Sequence, residues 1–514
     1  MRRVISIFLA VSLLLTGCGA RTLSAESGSE SAYVNAAVLE DLPDAQDNLS
    51  ESESASESEN ASEAESPSVS ESSAASTAAS ESAPASSAKA PDTSTAPSEA
   101  VSASSQQEKP SQPSQASSSA SQSVSESVSE SASESTAAET KKTSHAVSGE
   151  VRGVWISYLE FLGKAQNKSR AEFSAMISDM FETAADFGLN TVFVQVRPFG
   201  DALYSSGIFP WSYVLTGTEG EAPGYDPLAV MVSAARAEGL RIEAWINPYR
   251  VRAAGSSRAL SDDNPAVKSL SSGDGTAIAY NGGVFYNPAS QAARDLITEG
   301  VVEIIKNYDI DGIHFDDYFY PTTDTAFDSA DYAAYKSGGG TLALADWRRE
   351  NVTKLVRQVY NAIKNTDSSV LFGISPQARM DVNYNTQYAD VAAWAGEGIV
   401  DYLCPQIYFG FDHATQPFAT RADEWEKLVR GTGVTLYIGL AAYKCGVTDN
   451  YAGDAGKNEW TQNDDILAQM VEYSREKSGY GGFVIYRYDS LFSPESSLKT
   501  HIAAERENLH GLIR

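Results

Sequence analysis

The amino-acid sequence predicts an α/β protein: a (β/α)8 TIM-type barrel, preceded by a signal peptide and a long Ser/Glu/Ala-rich tether expected to be disordered. Three observations predict it. The first 149 of the 514 residues have the composition of a leader and a solvated linker. The remainder alternates short apolar runs with amphipathic stretches, eight times over. Polar and aromatic residues crowd the segments that follow the apolar runs and are sparse before them, the asymmetry of a barrel with one functional rim.

The chain opens "MRRVISIFLAVSLLLTGCGA". Arg2 and Arg3 precede an apolar run, Val4 to Leu15, that is short for a bilayer span. The order Leu15-Thr16-Gly17-Cys18 resembles a bacterial lipobox, which implies a signal peptide over 1–17 and a lipid on Cys18. Such an anchor would hold the protein to a membrane and leave its body in water. An ordinary secretory signal with a chance cysteine is the alternative.

Residues 18–149 are built of repeats such as "ESESASESENASEAES" and "SVSESVSESASES". They bring too little apolar surface to offset the entropy of ordering. About twenty acids face about five bases there, so the segment repels itself and extends. Much of the net charge of −30 therefore belongs to this spacer. A glycan acceptor or an interaction arm is the other reading of it.

Residues 150–514 have a globular composition, within the size range of α/β barrels. Beyond Cys18 only Cys404 and Cys445 remain, too few for a disulfide scaffold, and Cys404 lies in an apolar strand as a small hydrophobe. The strands fall at 153–158, 191–196, 241–246, 312–316, 371–375, 402–408, 435–440 and 482–486. The helices between them fall at 170–187, 227–238, 289–308, 342–364, 386–396, 421–429, 464–477 and 494–506. Eight such units imply a closed parallel barrel, with a doubly wound open sheet as the alternative. No GxGxxG follows an early strand, so a dinucleotide site has no support. The segment 251–285 is long, polar and expected to be irregular, either a lid or an insertion.

The C-terminal ends of the strands then define a rim. The first strand brings Tyr158 and Glu160. The second brings Gln195, Arg197 and Asp201, and the third Trp245, Asn247, Tyr249 and Arg250. The fourth ends in "GIHFDDYFYP", with Asp316, Asp317 and Tyr318. The fifth brings Gln377, Arg379 and Asp381, and the sixth Gln406, Tyr408, Asp412 and His413. The seventh brings Tyr443 and Lys444, and the eighth Tyr486, Arg487, Tyr488 and Asp489. Rings that stack on a pyranose face, with amides, carboxylates and guanidinium groups to fix hydroxyls, suit a sugar.

Sugar hydrolysis needs carboxylates at the scissile bond. Strand parity puts His314, Asp316 and Tyr318 on the inward face and Ile313 and Phe315 on the outward one. Asp316 is therefore the first candidate for a catalytic carboxylate and Asp317 the second; both as loop caps is the competing structural reading.

The segments "RGVWIS", "GLNTVFVQVRPFGDALY", "EAWINPYR", "DGIHFDDYFYP", "ISPQAR", "YLCPQIYFGF" and "GGFVIYRYDS" resemble the glycosyl-hydrolase-like family 10 domain of bacterial lipoproteins and envelope proteins. The resemblance spans nearly all of 150–514. It implies a TIM-type barrel, glycosidase activity and, as substrate, peptidoglycan glycan strands lacking stem peptides. The fourth-strand segment is also similar to two more distant patterns. Family 18 chitinases keep a proton-donating glutamate where Tyr318 stands, so their full mechanism does not carry over. Amylase-type enzymes keep a nucleophilic aspartate at the place of Asp316. The family 10 xylanases use a second acid after the seventh strand, where this chain reads "GLAAYKCG".

The resulting expectation is Asp316 as nucleophile or stabiliser of an oxocarbenium-like centre, with Asp317, Asp381 or Asp412 protonating the leaving oxygen. Alternatively, an N-acetyl sugar supplies its own carbonyl and Asp316 orients it. Gln195, Arg197, Asp201, Trp245, Asn247, Arg250, Tyr318, Gln377, Arg379, Gln406, Tyr408, Tyr486 and Arg487 are the candidate substrate contacts. Arg197, Arg250, Arg379 and Arg487 suit the lactyl carboxylate of muramic acid, or equally the chain's own Asp201, Asp316 and Asp489.

A non-catalytic wall- or glycan-binding lipoprotein is the main alternative function. A metal-dependent hydrolase is a third, set against five histidines without paired spacing. No cofactor and no metal are expected, and so acidic a chain is unsuited to nucleic acid. The expected partners are the polysaccharide and, through Cys18, a membrane. The expected location is the outer face of the bacterial cytoplasmic membrane or the cell envelope.

Overall fold

The computed structural model describes residues 149–514. The expected signal peptide, Cys18 and nearly all of the tether lie outside the described residues. Among the described residues no helix is long and apolar enough to cross a membrane.

Eight parallel strands close a barrel: β1 (Val151–Ile156), β2 (Thr191–Arg197), β3 (Arg241–Ile246), β7 (Gly312–Phe315), β8 (Leu371–Ile374), β9 (Tyr402–Leu403), β10 (Thr435–Ala441) and β11 (Tyr480–Tyr486). The spatial order is β1-β11-β10-β9-β8-β7-β3-β2, so each barrel strand pairs with its sequence neighbours and the last meets the first. Three further strands, β4 (Arg250–Arg252), β5 (Ala277–Tyr280) and β6 (Gly283–Tyr286), form a separate antiparallel sheet of order β4-β6-β5. Together with the helix Pro265–Ser272 this sheet occupies the segment expected to be irregular. The alternation there is too short and polar to read, yet Asn264 caps the helix ahead of Pro265 and Gly273 closes it at φ 70°.

Local chemistry sets the helix ends. Ser169 and Glu172 form a capping box before Arg170–Asp186, and Asp226 caps Pro227–Ala237 with proline at the first position. Each such cap contributes about 1 kcal/mol.

Three sequence boundaries are corrected. The strand expected over 402–408 pairs regularly only at Tyr402–Leu403, because Pro405 offers no N–H; Gln406 then makes isolated bridges to Gln377 and Gly439. The helix expected over 386–396 starts only at Val391 and runs to Glu397; a separate short helix, Met380–Asn385, precedes it, and Tyr388 between them takes φ 52°. The last helix runs Lys499–Ile513, since Ile502, Leu509 and Ile513 carry the buried stripe past residue 506.

Two cores result. The larger lies between the strands and the helices and holds Ile313, Phe315, Val352, Phe372 and Leu440, among others. The smaller fills the barrel with Trp155, Phe193, Trp245, Tyr402, Cys404, Tyr437 and Val484. These rings fit because neighbouring inward positions are glycine. A Cβ at Gly373 would fall inside the Tyr402 ring, and one at Gly312 would stand 2.6 Å from the Glu243 carboxyl. Cys404 is fully buried in this filling and burial pushes its thiol well up, so it is no nucleophile.

Candidate active site

Asp316 and Asp317 leave β7 side by side and enter unlike surroundings. Asp316 is 2% exposed. Its Oδ2 accepts from the Trp245 indole Nε1 at 3.1 Å, and its Oδ1 from the Tyr318 backbone N–H at 3.2 Å. Burial, and then the charge of Asp317, push its carboxyl well above the usual range; Arg250 and the two hydrogen bonds oppose them. The balance favours the protonated form. Asp317 accepts from Gln406 Nε2 at 3.1 Å on one oxygen and from the Gln377 amide on the other. Amide donors on both oxygens suit a carboxylate anion. Two adjacent carboxyls with environments this different are equipped for acid–base work.

Parity delivers this arrangement. His314 and Asp316 project into the barrel and its mouth, while Ile313 and Phe315 pack outward. Trp245 comes from the inward face of β3, and Gln377 and Gln406 meet through their isolated bridge just past β8 and β9.

An aromatic wall stands at the ends of β9, β10 and β11. Tyr408 and Tyr486 stack with centroids 5.7 Å apart, and Tyr443 meets both edge-on at 5.9 and 6.0 Å. Trp155 supports Tyr486 from within the barrel at 6.2 Å. All three tyrosines are half-buried. Tyr318, half-buried, lies under the Arg250 guanidinium at 4.1 Å, which also rests 4.8 Å over Phe199.

Other expected contacts are placed elsewhere, and these are corrections. The register skips a residue between Gln195 and Arg197, so Arg197 pairs with Ile246 and turns to the outer face of the barrel. There it is fully buried, 4.3 Å from the Phe209 ring and against Gly300 of the helix Gln291–Asn307. Asp201 is fully buried with Glu219 and Arg258, and burial lifts its carboxyl to about 6 against the pull of Arg258. Arg379 is spent on Asp381 at 2.5 Å, and Arg487 on Glu160 at 2.6 Å and Asp489 at 3.8 Å. The pairing also holds Asp381 low and solvent-facing, unsuited to donate a proton, and Asp412 is exposed. Gln195 and Asn247 are buried and hold each other at 3.2 Å, with the Tyr158 N–H on Gln195 Oε1. They brace the floor rather than face the mouth.

His314 takes the inward place that strand parity gives it, with partners that the sequence did not disclose. Its Nε2 stands 3.1 Å from both Trp155 Nε1 and Ser375 Oγ, and its Nδ1 2.8 Å from Tyr402 Oη. Burial lowers its pKa to about 3. Both ring nitrogens are engaged, and among the described residues no three His, Cys, Asp or Glu side chains gather as a metal site. Trp155, Tyr402 and Ser375 lie within the apolar runs rather than after them, and in the sequence only their parity signals them.

The family model described as "Glycosyl hydrolase-like 10" matches residues 150–478. Glycosyl hydrolase YngK of Bacillus subtilis (strain 168) is 37% identical over 346 residues, covering 63% of this chain and 65% of that protein, so the match spans just under two thirds of that relative. Glycosyl hydrolase DigH of Escherichia coli (strain K12) is 32% identical over 387 residues, covering 69% of this chain and 86% of that protein. Among solved structures, the catalytic domain of β-amylase from Paenibacillus polymyxa aligns with a TM-score of 0.48 at 12% identity, over 72% of this chain and 100% of that one. The chain belongs to the glycosyl hydrolase-like 10 family.

Proposed function

We propose that this protein is a cell-envelope glycoside hydrolase that cleaves peptidoglycan glycan strands, with Asp316 as proton donor and Asp317 as its anionic partner. The observation that carries the chemistry is the adjacency of the two carboxyls, one buried under Trp245 and one held by two amides, beside a wall of tyrosines. Asp316 gives its proton to the leaving glycosidic oxygen as the bond to the anomeric carbon breaks, and a water molecule then adds to that carbon and returns a proton to Asp316. Asp317 balances the charge that develops at the anomeric carbon, either directly or by orienting the carbonyl of an N-acetyl sugar. These roles reverse the sequence expectation for Asp316, because burial favours its neutral form. The substrate reading rests on the resemblance of the sequence motifs. The location, on the outer face of the cytoplasmic membrane or in the envelope, rests on the lipobox at Cys18 and the tether 18–149. The arginine reading of muramic acid narrows to Arg250.

The test is digestion of purified glycan strands with and without stem peptides, with products identified by mass. Wild type should cleave the strands lacking stem peptides. Asp316→Asn should lose turnover and keep nearly the wild-type melting temperature. Unchanged turnover in Asp316→Asn would sink the assignment of the acid. Glycan binding by both proteins with cleavage by neither would favour the wall-binding reading.

A further inference from the structure

We propose that Glu243, Tyr402 and His314 are positioning residues: an array inside the barrel that locks the His314 ring as its Nδ1–H tautomer and so holds the carboxylate clamp and the aromatic wall together. The role rests on the reading of the barrel mouth as the site of glycan cleavage.

The donors and acceptors fix the direction of the array. The Trp155 indole N–H can only donate, so His314 Nε2 must accept at 3.1 Å and carry no proton. The ring is neutral, so its proton sits on Nδ1 and is donated to Tyr402 Oη at 2.8 Å. Tyr402 in turn donates to Glu243 Oε2 at 2.6 Å, and Arg241 stands 3.3 Å from the other oxygen of that carboxyl. Every member is buried: His314 at 0%, Tyr402 and Glu243 at 1%. The Tyr437 ring lies tilted against Tyr402 with centroids 4.5 Å apart, and Cys404 lies in the same filling.

At its upper end the array branches to both sides of the mouth from one acceptor atom. Through Trp155 it reaches Tyr486 and hence the wall. The Ser375 hydroxyl also donates to His314 Nε2 at 3.1 Å, and the Ser375 carbonyl accepts from Gln406 Nε2 at 3.1 Å. That same amide nitrogen donates to Asp317. A proton on Nε2 would set that N–H against the Trp155 N–H, which cannot accept, and turn the Ser375 hydroxyl from donor to acceptor, so the Trp155 branch would be released. Neither Glu243 nor Tyr402 touches the mouth, so each acts through His314.

The array is tested in the full chain labelled with 15N-histidine, with His314 assigned by its loss in His314→Gln. The expected signature is a protonated Nδ1, a bare Nε2 and no titration between about pH 5 and 8. In Tyr402→Phe the Nδ1–H loses its acceptor. The signature should shift, and kcat on glycan strands should fall about tenfold with KM within about twofold. Glu243→Gln should preserve both, because its amide oxygen still accepts from Tyr402, whereas Glu243→Leu should behave as Tyr402→Phe does. A protonated Nε2, a ring that titrates in this range, or Tyr402→Phe with unaltered signature and kcat would overturn the proposal. If wild type cleaves no glycan, the functional reading fails; the NMR signature, with glycan affinity replacing kcat, still decides the array.

Discussion

Replacing Glu243 by glutamine should make the fold less sensitive to pH, and the structure gives the size of the effect. Glu243 is 1% exposed at the base of the barrel filling. Burial is the largest influence on its carboxyl and raises it; Arg241 and the Tyr402 hydroxyl oppose the rise, Asp311 and Asp401 add to it, and the result lies at about 7. Each pH unit is worth about 1.36 kcal/mol, so a carboxyl moved there from an ordinary 4.5 makes ionisation cost the fold on the order of 3 kcal/mol. The sign follows from proton counting. Between 4.5 and 7 the folded chain holds a proton that the unfolded chain has lost, so stability falls as pH rises through that window and is level above it. Urea unfolding of wild type and Glu243→Gln, repeated from about pH 4.5 to 8, isolates the term as the difference between the two proteins. The difference should move by on the order of 3 kcal/mol in favour of the variant by pH 7. A flat difference, or one moving the other way, would show that the Arg241 pair outweighs burial and would refute the reasoning.

Gln406→Leu removes one of the two amide donors on Asp317; kcat should fall about ten- to hundredfold with little change in KM, the scale of a lost hydrogen bond to a charged group. If instead KM alone rises in steady-state kinetics, Gln406 binds substrate rather than holding Asp317. Gly373→Ala drives a methyl group into the Tyr402 ring and should cost about 3 kcal/mol by chemical denaturation, and a melting temperature equal to wild type would contradict the close approach. Arg197→Met should leave turnover within about twofold and stability unchanged or raised, because a buried guanidinium is exchanged for an apolar chain of similar length. Loss of turnover by a fully folded Arg197→Met chain would return Arg197 to the site.

Much of the candidate site was legible in particular residues. Asp316 and Asp317 stood out because a buried strand ends on two carboxyls, and period-two alternation separated His314 and Asp316 from Ile313 and Phe315. Gln377, Gln406, Tyr408 and Tyr486 do gather at the mouth, as a rim assembled from strand ends requires. Arg197 failed for a definite reason. One skipped residue in the β2–β3 register inverts its face, and no composition signal marks that bulge. Arg487 pairs with Glu160 and Asp489, and Arg379 with Asp381, the pairing with the chain's own acids that the sequence left open beside a substrate carboxylate, because a charge seen in one dimension does not disclose its partner.

The sequence by itself determined the barrel: hydrophobic periodicity is local, and eight alternations leave few ways to bury both faces of a parallel sheet. It also determined which strand carries the paired acids. Only the tertiary structure decided which aspartate is buried beneath Trp245 and which lies between two glutamines, and that His314 is engaged inside the barrel. It alone turned segment 251–285 into an ordered sheet. Each of these depends on contacts between residues far apart in the chain, such as Trp155 with His314, Tyr402 with Glu243 and Gln406 with Asp317. Burial and hydrogen-bond supply, which set whether a carboxyl keeps its proton, exist only once those contacts have formed.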